Sequence, residues 1–359
     1  MKQFKLKTIL FTLSLAALFS ACRKDNDNTP DDQDIVPVRK GLYILNEGSF
    51  NANNSSLGYY DYDSKVLVGD QFATVNKRGL GDTGNDAQVY GSKLYVVVNV
   101  SSVVEVMDAK SAKSVKQVEV KNGSAAREPR FIVFDKNKAF ISCYDGNVAV
   151  MDTASLVIEK YIPVGRNPEK MAIANGKLYV ANSGGLSAPD VDKTVSVIDL
   201  ATLTETKKVT VGLNPFSVTA DKYGDIYVLS YGLTYPVVVS NPSMTIIDSK
   251  TDAVTKTFDD FSAGDMAING DFAYITTYTG VQLFNVKTET VASANFITDG
   301  TTITIPYSVT VDPITGEVFV TDAKNYSTNG EVFCFDDKGV KKYTLPTGIN
   351  PGAVTFINK

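Results

Sequence analysis

The chain has 359 residues, 43% of them hydrophobic, enough for one large domain or two medium ones with a packed core. It contains no His and no Trp, which excludes Ser-His-Asp and Cys-His catalysis, His-ligated zinc and an imidazole proton shuttle. Its formal charge is -5 from 35 basic and 40 acidic residues. Three of those bases, Lys2, Lys5 and Lys7, stand in the first 21 residues, so 32 bases remain against 40 acids beyond them. No basic stripe is left to neutralise phosphates, and nucleic acid is not expected as a partner.

The first element is an address. Residues 1–21 have a Lys-rich start, an apolar run from Ile9 to Phe19 and small residues before Cys22. This is the three-part pattern of a secretory signal, and the apolar run is short for a membrane span. Leu18-Phe19-Ser20-Ala21-Cys22 resembles a bacterial lipobox, which implies that Cys22 is lipidated and becomes the first residue. The following RKDNDN resembles the export signal that places Bacteroidetes lipoproteins on the outer face of the outer membrane. Residues 22–40 are polar, carry Pro30 and Pro37, and read as a disordered tether.

From Gly41 to Lys359 the chain repeats. Each unit reads as an apolar strand, a turn, a second strand with a central aromatic, a loop, a third strand ending in Asp, a turn and a fourth strand. The second-strand aromatics are Tyr43, Tyr95, Phe140, Tyr179, Tyr227, Tyr274 and Phe319. The third strands end at Asp61, Asp108, Asp152, Asp199, Asp248, Asn285 and Asp336. Seven units, with successive members 37 to 52 residues apart, predict an all-β, single seven-bladed β-propeller. Each terminal Asp is expected to cap its turn through the side chain. Asn-Gly at 175–176 and 269–270 suits two-residue hairpins. Asn-Pro at 167–168, 214–215 and 350–351 is expected to hold an extended corner before the innermost strand. Cys143 and Cys334 sit in apolar strands and read as buried free thiols.

The last copy stops after a single strand, Gly352 to Ile357, while the chain begins with a second strand, Gly41 to Leu45. Their pairing is expected to complete one blade and close the ring.

Loops that join second to third strands share a face with the corners between blades. Four of them are long, at 47–54, 182–194, 231–242 and 322–330, and rich in Asn, Ser, Gly and Tyr. This mixture gives rigid aromatic area with adaptable hydrogen bonding. The candidate ligand-binding residues are Phe50, Asn51, Tyr231, Tyr235, Tyr278, Tyr307 and Tyr326, with Arg127, Arg130 and Arg166 from the corners. These arginines and Lys170 either meet a ligand's oxygens or pair with Asp82, Asp86, Glu128, Glu169 and Asp265. GLGDTGND at 79–86 has no following Lys or helix and does not read as a phosphate loop. Asp190 and Asp192 are a thin calcium signal. No catalytic residue, cofactor or metal is assigned.

The unit VGxNP…GxxYV…VSVID resembles the YncE-like and surface-layer propeller repeats. With the lipobox and export signal, the whole mature chain is similar to Bacteroidetes surface lipoproteins of the BtuG type. That resemblance implies capture of a corrinoid such as cobalamin (vitamin B12) at the outer-membrane surface, and its transfer to a TonB-dependent transporter of the BtuB type. Two other readings stay open. One is an adhesive propeller with a protein or glycan partner. The other is a metal-dependent lactonase or lyase, for which Glu128, Asp265 and Asp86 are the candidate carboxylates.

Overall fold

The computed structural model describes residues 37–235 and 237–359. The signal segment, Cys22 and the export signal lie outside them. Seven four-stranded antiparallel sheets form a closed ring of blades, and the innermost strand of each touches those of its neighbours. Ring closure is as the truncated repeat predicts. Pro351–Asn358 is innermost in the last blade and pairs with Arg39–Asn46, with Gly41 opposite Ile357 and Leu45 opposite Ala353. The first strand begins at Arg39, two residues before Gly41.

The repeated residues explain why the chain folds this way. The third-strand Asp or Asn accepts backbone N–H groups of its own turn in all seven blades, as Asp152 does from Ala154 and Ser155 and Asn285 from Lys287 and Thr288. Four second-strand tyrosines reach across to the neighbouring blade. Tyr43 donates to the Ala109 carbonyl at 3.0 Å, Tyr95 to Thr153 at 3.5 Å, Tyr179 to Ser249 at 3.1 Å and Tyr227 to Val286 at 3.1 Å. Each acceptor immediately follows the capping Asp or Asn of the next blade. The two signature positions of the repeat therefore meet between blades, where apolar side chains of adjacent sheets form the core. At Thr153 and Ser249 the Lys93 and Lys177 ammonium groups donate to the same carbonyl, at 3.1 Å each, so the phenol shares the work of satisfying a polar group between blades.

Two kinds of turn differ from expectation. The Asn before each corner proline is left-handed rather than extended, with φ of 44° at Asn167, 56° at Asn214 and 53° at Asn350. Asn tolerates this region, and the bend aims its carbonyl at the N–H just beyond the second strand. Ser183 donates to Asn167 at 3.2 Å, Tyr231 to Asn214 at 3.0 Å and Glu47 to Asn350 at 2.9 Å. At 269–270 the hairpin is displaced by one residue. Asn269 pairs with Phe272, so Gly270 and Asp271 make the turn and only the glycine needs positive φ. Cys143 and Cys334 are buried free thiols, and burial pushes the Cys334 thiol up to about 12. Among the described residues the one α-helix is Gln71–Asn76, capped by the Asp70 side chain, and no helix is long and apolar enough to cross a membrane.

Candidate functional site

The register of the innermost strands builds the site. Five of these strands begin with proline, at Pro129, Pro168, Pro215, Pro306 and Pro351. A proline at a strand's first residue removes no ladder hydrogen bond. The residue after each proline turns toward the channel mouth: Arg130, Glu169, Phe216, Tyr307 and Gly352. Asn85, after Gly84, and Gly264 hold the same place in the other two blades. All seven line one cavity of about 380 Å³ at the mouth, joined by Glu47 and Lys170.

A second cavity, about 400 Å³, lies beside it and shares Tyr231, Gly264 and Tyr307 with it. Tyr278 and Tyr326 also line it. Tyr231 stacks on Phe216 with ring centroids 3.6 Å apart and planes 8° from parallel. Tyr307 and Tyr326 meet edge to face at 5.9 Å. Tyr278 is 87% exposed, Tyr326 51% and Tyr231 48%, so three aromatic rings stand open to solvent around one hollow.

The floor of the mouth is charged. Arg130 donates from Nε to Glu169 at 3.1 Å, and its guanidinium lies over the Tyr144 ring at 4.7 Å. Tyr144 donates to the other Glu169 oxygen at 2.5 Å. Lys170 is paired with Asp265, which also accepts the Val309 N–H. Tyr307 donates its hydroxyl to both oxygens of Glu47, at 3.0 Å each. Burial pushes the Glu47 carboxyl up to about 7, against the pull of Arg130 and of the Tyr307 hydrogen bond. Burial also raises the phenols of Tyr231 and Tyr307.

Of the residues singled out in the sequence, the fold brings Arg130, Tyr231, Tyr278, Tyr307 and Tyr326 together. The other five stand outside both cavities. Phe50 is 73% exposed and Tyr235 84%, each on a loop tip. Asn51 is a turn residue whose N–H binds Asp82. Arg127 is paired with Asp145 and stacked over Tyr161. Arg166 forks between Asp190 and Asp192, at 3.0 and 2.7 Å, which accounts for that acidic pair. Of the four corner cations, Arg130 and Lys170 pair with acids foreseen for them and Arg127 and Arg166 with others. Asp86 and Asp265 line the channel, whereas Glu128 does not. Asp86 accepts the Ile132 N–H and the Gln88 amide. Sequence reasoning passed over Glu47, Tyr144 and Phe216 as site residues. The signal that finds Phe216 is its place directly after a corner proline; Glu47 directly follows a second strand.

Solved structures with similar folds include the hydrazine synthase of Kuenenia stuttgartiensis, at 16% identity and TM-score 0.62, over 77% of this chain and 95% of that one. A quinoprotein alcohol dehydrogenase-like protein from Bacteroides thetaiotaomicron aligns at 16% identity and TM-score 0.64, over 89% and 78%. The computationally designed protein Ika8 aligns at 11% identity and TM-score 0.58, over 90% and 98%. At these identities the likeness is one of fold alone. Comparison with curated proteins returns no match. The family model described as "Domain of unknown function (DUF5074)" matches residues 40–356, and the chain belongs to that family.

Proposed function

We propose that this propeller captures a large ligand with apolar edges and many amides, a corrinoid such as cobalamin, on its loop face. The observation that carries the reading is the hollow ringed by Tyr231, Tyr278, Tyr307 and Tyr326 and continuous with the charged channel mouth. Aromatic rings bury much area and lose little entropy when immobilised. The adjoining polar floor supplies donors and acceptors that fix a ligand's orientation. The capture reading assigns the protein no enzymatic role. In the same proposal the protein works at the outer-membrane surface, held by lipid on Cys22, and hands its ligand to a TonB-dependent transporter. Labelled palmitate is then expected to enter the wild-type protein and not the Cys22→Ala variant; label in the variant would discard the anchor.

Calorimetry of the purified protein with cyanocobalamin tests the capture itself. The expected result is saturable heat and a raised melting temperature at micromolar ligand. Absence of both discards the corrinoid. A second reading, adhesion to a protein partner, is favoured by the exposed apolar strip of Tyr235, Val237, Val238 and Val239 on the 231–242 loop, and it takes precedence in that event.

A further inference from the structure

The polar groups at the channel mouth do not balance. Its two cations are engaged, Arg130 with Glu169 and Lys170 with Asp265. Glu47 forms no ion pair among the described residues, and a single hydroxyl, that of Tyr307, serves both its oxygens. An ionised carboxylate has about four lone-pair sites, so most of its accepting capacity is free. Asn85 is 6% exposed, and its Oδ1 is buried without a donor. Both residues line the same cavity, with Arg130 and Lys170 on its other walls. Buried polar atoms are normally satisfied, and two open acceptors in one hollow call for a donor from outside the chain.

Three kinds of group could enter. A carboxylate would bring its charge against Glu47 and offer no N–H. An ammonium would bring three donors but no acceptor, and would sit beside two cations. A primary carboxamide brings two N–H donors and one carbonyl, matching open acceptors on one side and cationic donors on the other. We propose that the channel mouth is a carboxamide-binding subsite, in which Glu47 and Asn85 Oδ1 accept the amide N–H groups and Arg130 and Lys170 face the carbonyl. This rests on the reading of the loop face as a ligand site and names the chemistry it takes.

The subsite is pH-dependent. The groups facing Glu47 are Tyr307 on Pro306–Val311, Arg130 on Pro129–Asp135, and Glu169 and Lys170 on Pro168–Ala174. Burial outweighs the two cations and holds the carboxyl at about 7. Above that value it is ionised and accepts; below it, it carries a proton and loses its charge-assisted grip. The ionised fraction falls from about nine-tenths at pH 8 to about one-tenth at pH 6, which weakens amide binding by up to about tenfold. The chain has no histidine to add a competing transition in that range.

Nicotinamide, an aromatic ring bearing one primary amide, is the probe, and nicotinate is its carboxylate counterpart. Ligand-observed NMR titrations of the full chain at pH 8 and pH 6 give both affinities. Nicotinamide is expected to bind about tenfold more tightly at pH 8 than at pH 6, and at least about tenfold more tightly than nicotinate at pH 8. Glu47→Gln should remove the pH dependence while leaving the melting temperature near wild type. Asn85→Ala, which leaves Glu47 in place, should weaken nicotinamide at both pH values and serves if Glu47→Gln fails to fold. Equal binding of the two probes, no nicotinamide binding, or an undiminished pH dependence in Glu47→Gln each overturns the proposal. Cyanocobalamin in parallel samples separates the two ideas: amide selectivity without corrinoid binding keeps the subsite and discards the corrinoid.

Discussion

Removing the last eight residues, Gly352 to Lys359, is expected to abolish cooperative unfolding and turn the protein to aggregate. The lost segment supplies nearly all of Pro351–Asn358, the innermost strand of its blade. That strand pairs along the whole of Arg39–Asn46 and also touches the innermost strands on both sides. Its Val354 and Ile357 are buried, and each such side chain contributes about 1.5–3 kcal/mol by leaving water. Their loss alone is a large part of the ~5–15 kcal/mol that holds an ordinary domain together. The greater effect is on what remains. Leu42, Ile44 and Leu45 would lie on an unpaired edge, next to a channel opened along one side. An exposed apolar edge strand templates pairing with other chains. Circular dichroism melts and size-exclusion chromatography of the truncated protein measure the outcome. A truncated chain that stays monomeric and melts like the full one shows that closure does not hold the ring.

That closure was legible because the repeat stops halfway at one end and starts halfway at the other. The blade count was legible for a similar reason. The second-strand aromatic and the third-strand Asp recur in order, and both do local work, packing and turn capping, that chemistry dictates in place. Their meeting between blades was not legible: Tyr43 and Ala109 are far apart in the chain and adjacent only once the blades are ranked round the ring. The corner Asn-Pro is plain in the sequence, but its handedness is not. Proline biases its predecessor toward extended backbone, and the hydrogen bond that overrides this bias comes from the end of another strand. The same bond fixes Glu47 and Tyr231, so the misread turn is the one that sets the site. Composition points to the face that carries the two cavities and mixes two populations on it. Tyr231 and Tyr235 look alike in sequence, yet one is stacked on Phe216 beside the channel and the other stands on a loop tip. Arg130 and Arg166 likewise part company, since only the first follows a corner proline.

This difference between look-alike tyrosines gives the second large effect. Under the proposed capture function, Tyr231→Ala weakens cyanocobalamin binding by about thirtyfold or more, the result of losing ~2 kcal/mol at a buried aromatic anchor. Tyr231 is the best placed of the four. Its N–H is tied to the Asn214 carbonyl and one face of its ring is covered by Phe216, while the ring stays about half exposed. A ring already held in place has little freedom left to lose, so most of the area it buries against a ligand appears as affinity. Tyr326→Ala should cost less, because its ring is braced only at the edge by Tyr307. Tyr235→Ala should change affinity by less than about twofold, because the ring stands clear of both cavities and an exposed peripheral contact adds little. Calorimetry on the three variants, each checked for an unchanged melting temperature, reads the order. A Tyr235→Ala loss equal to that of Tyr231→Ala moves the site from the hollow to the loop tips. Undiminished binding after Ala replaces Tyr231, Tyr278 and Tyr326 together removes the ligand from this face.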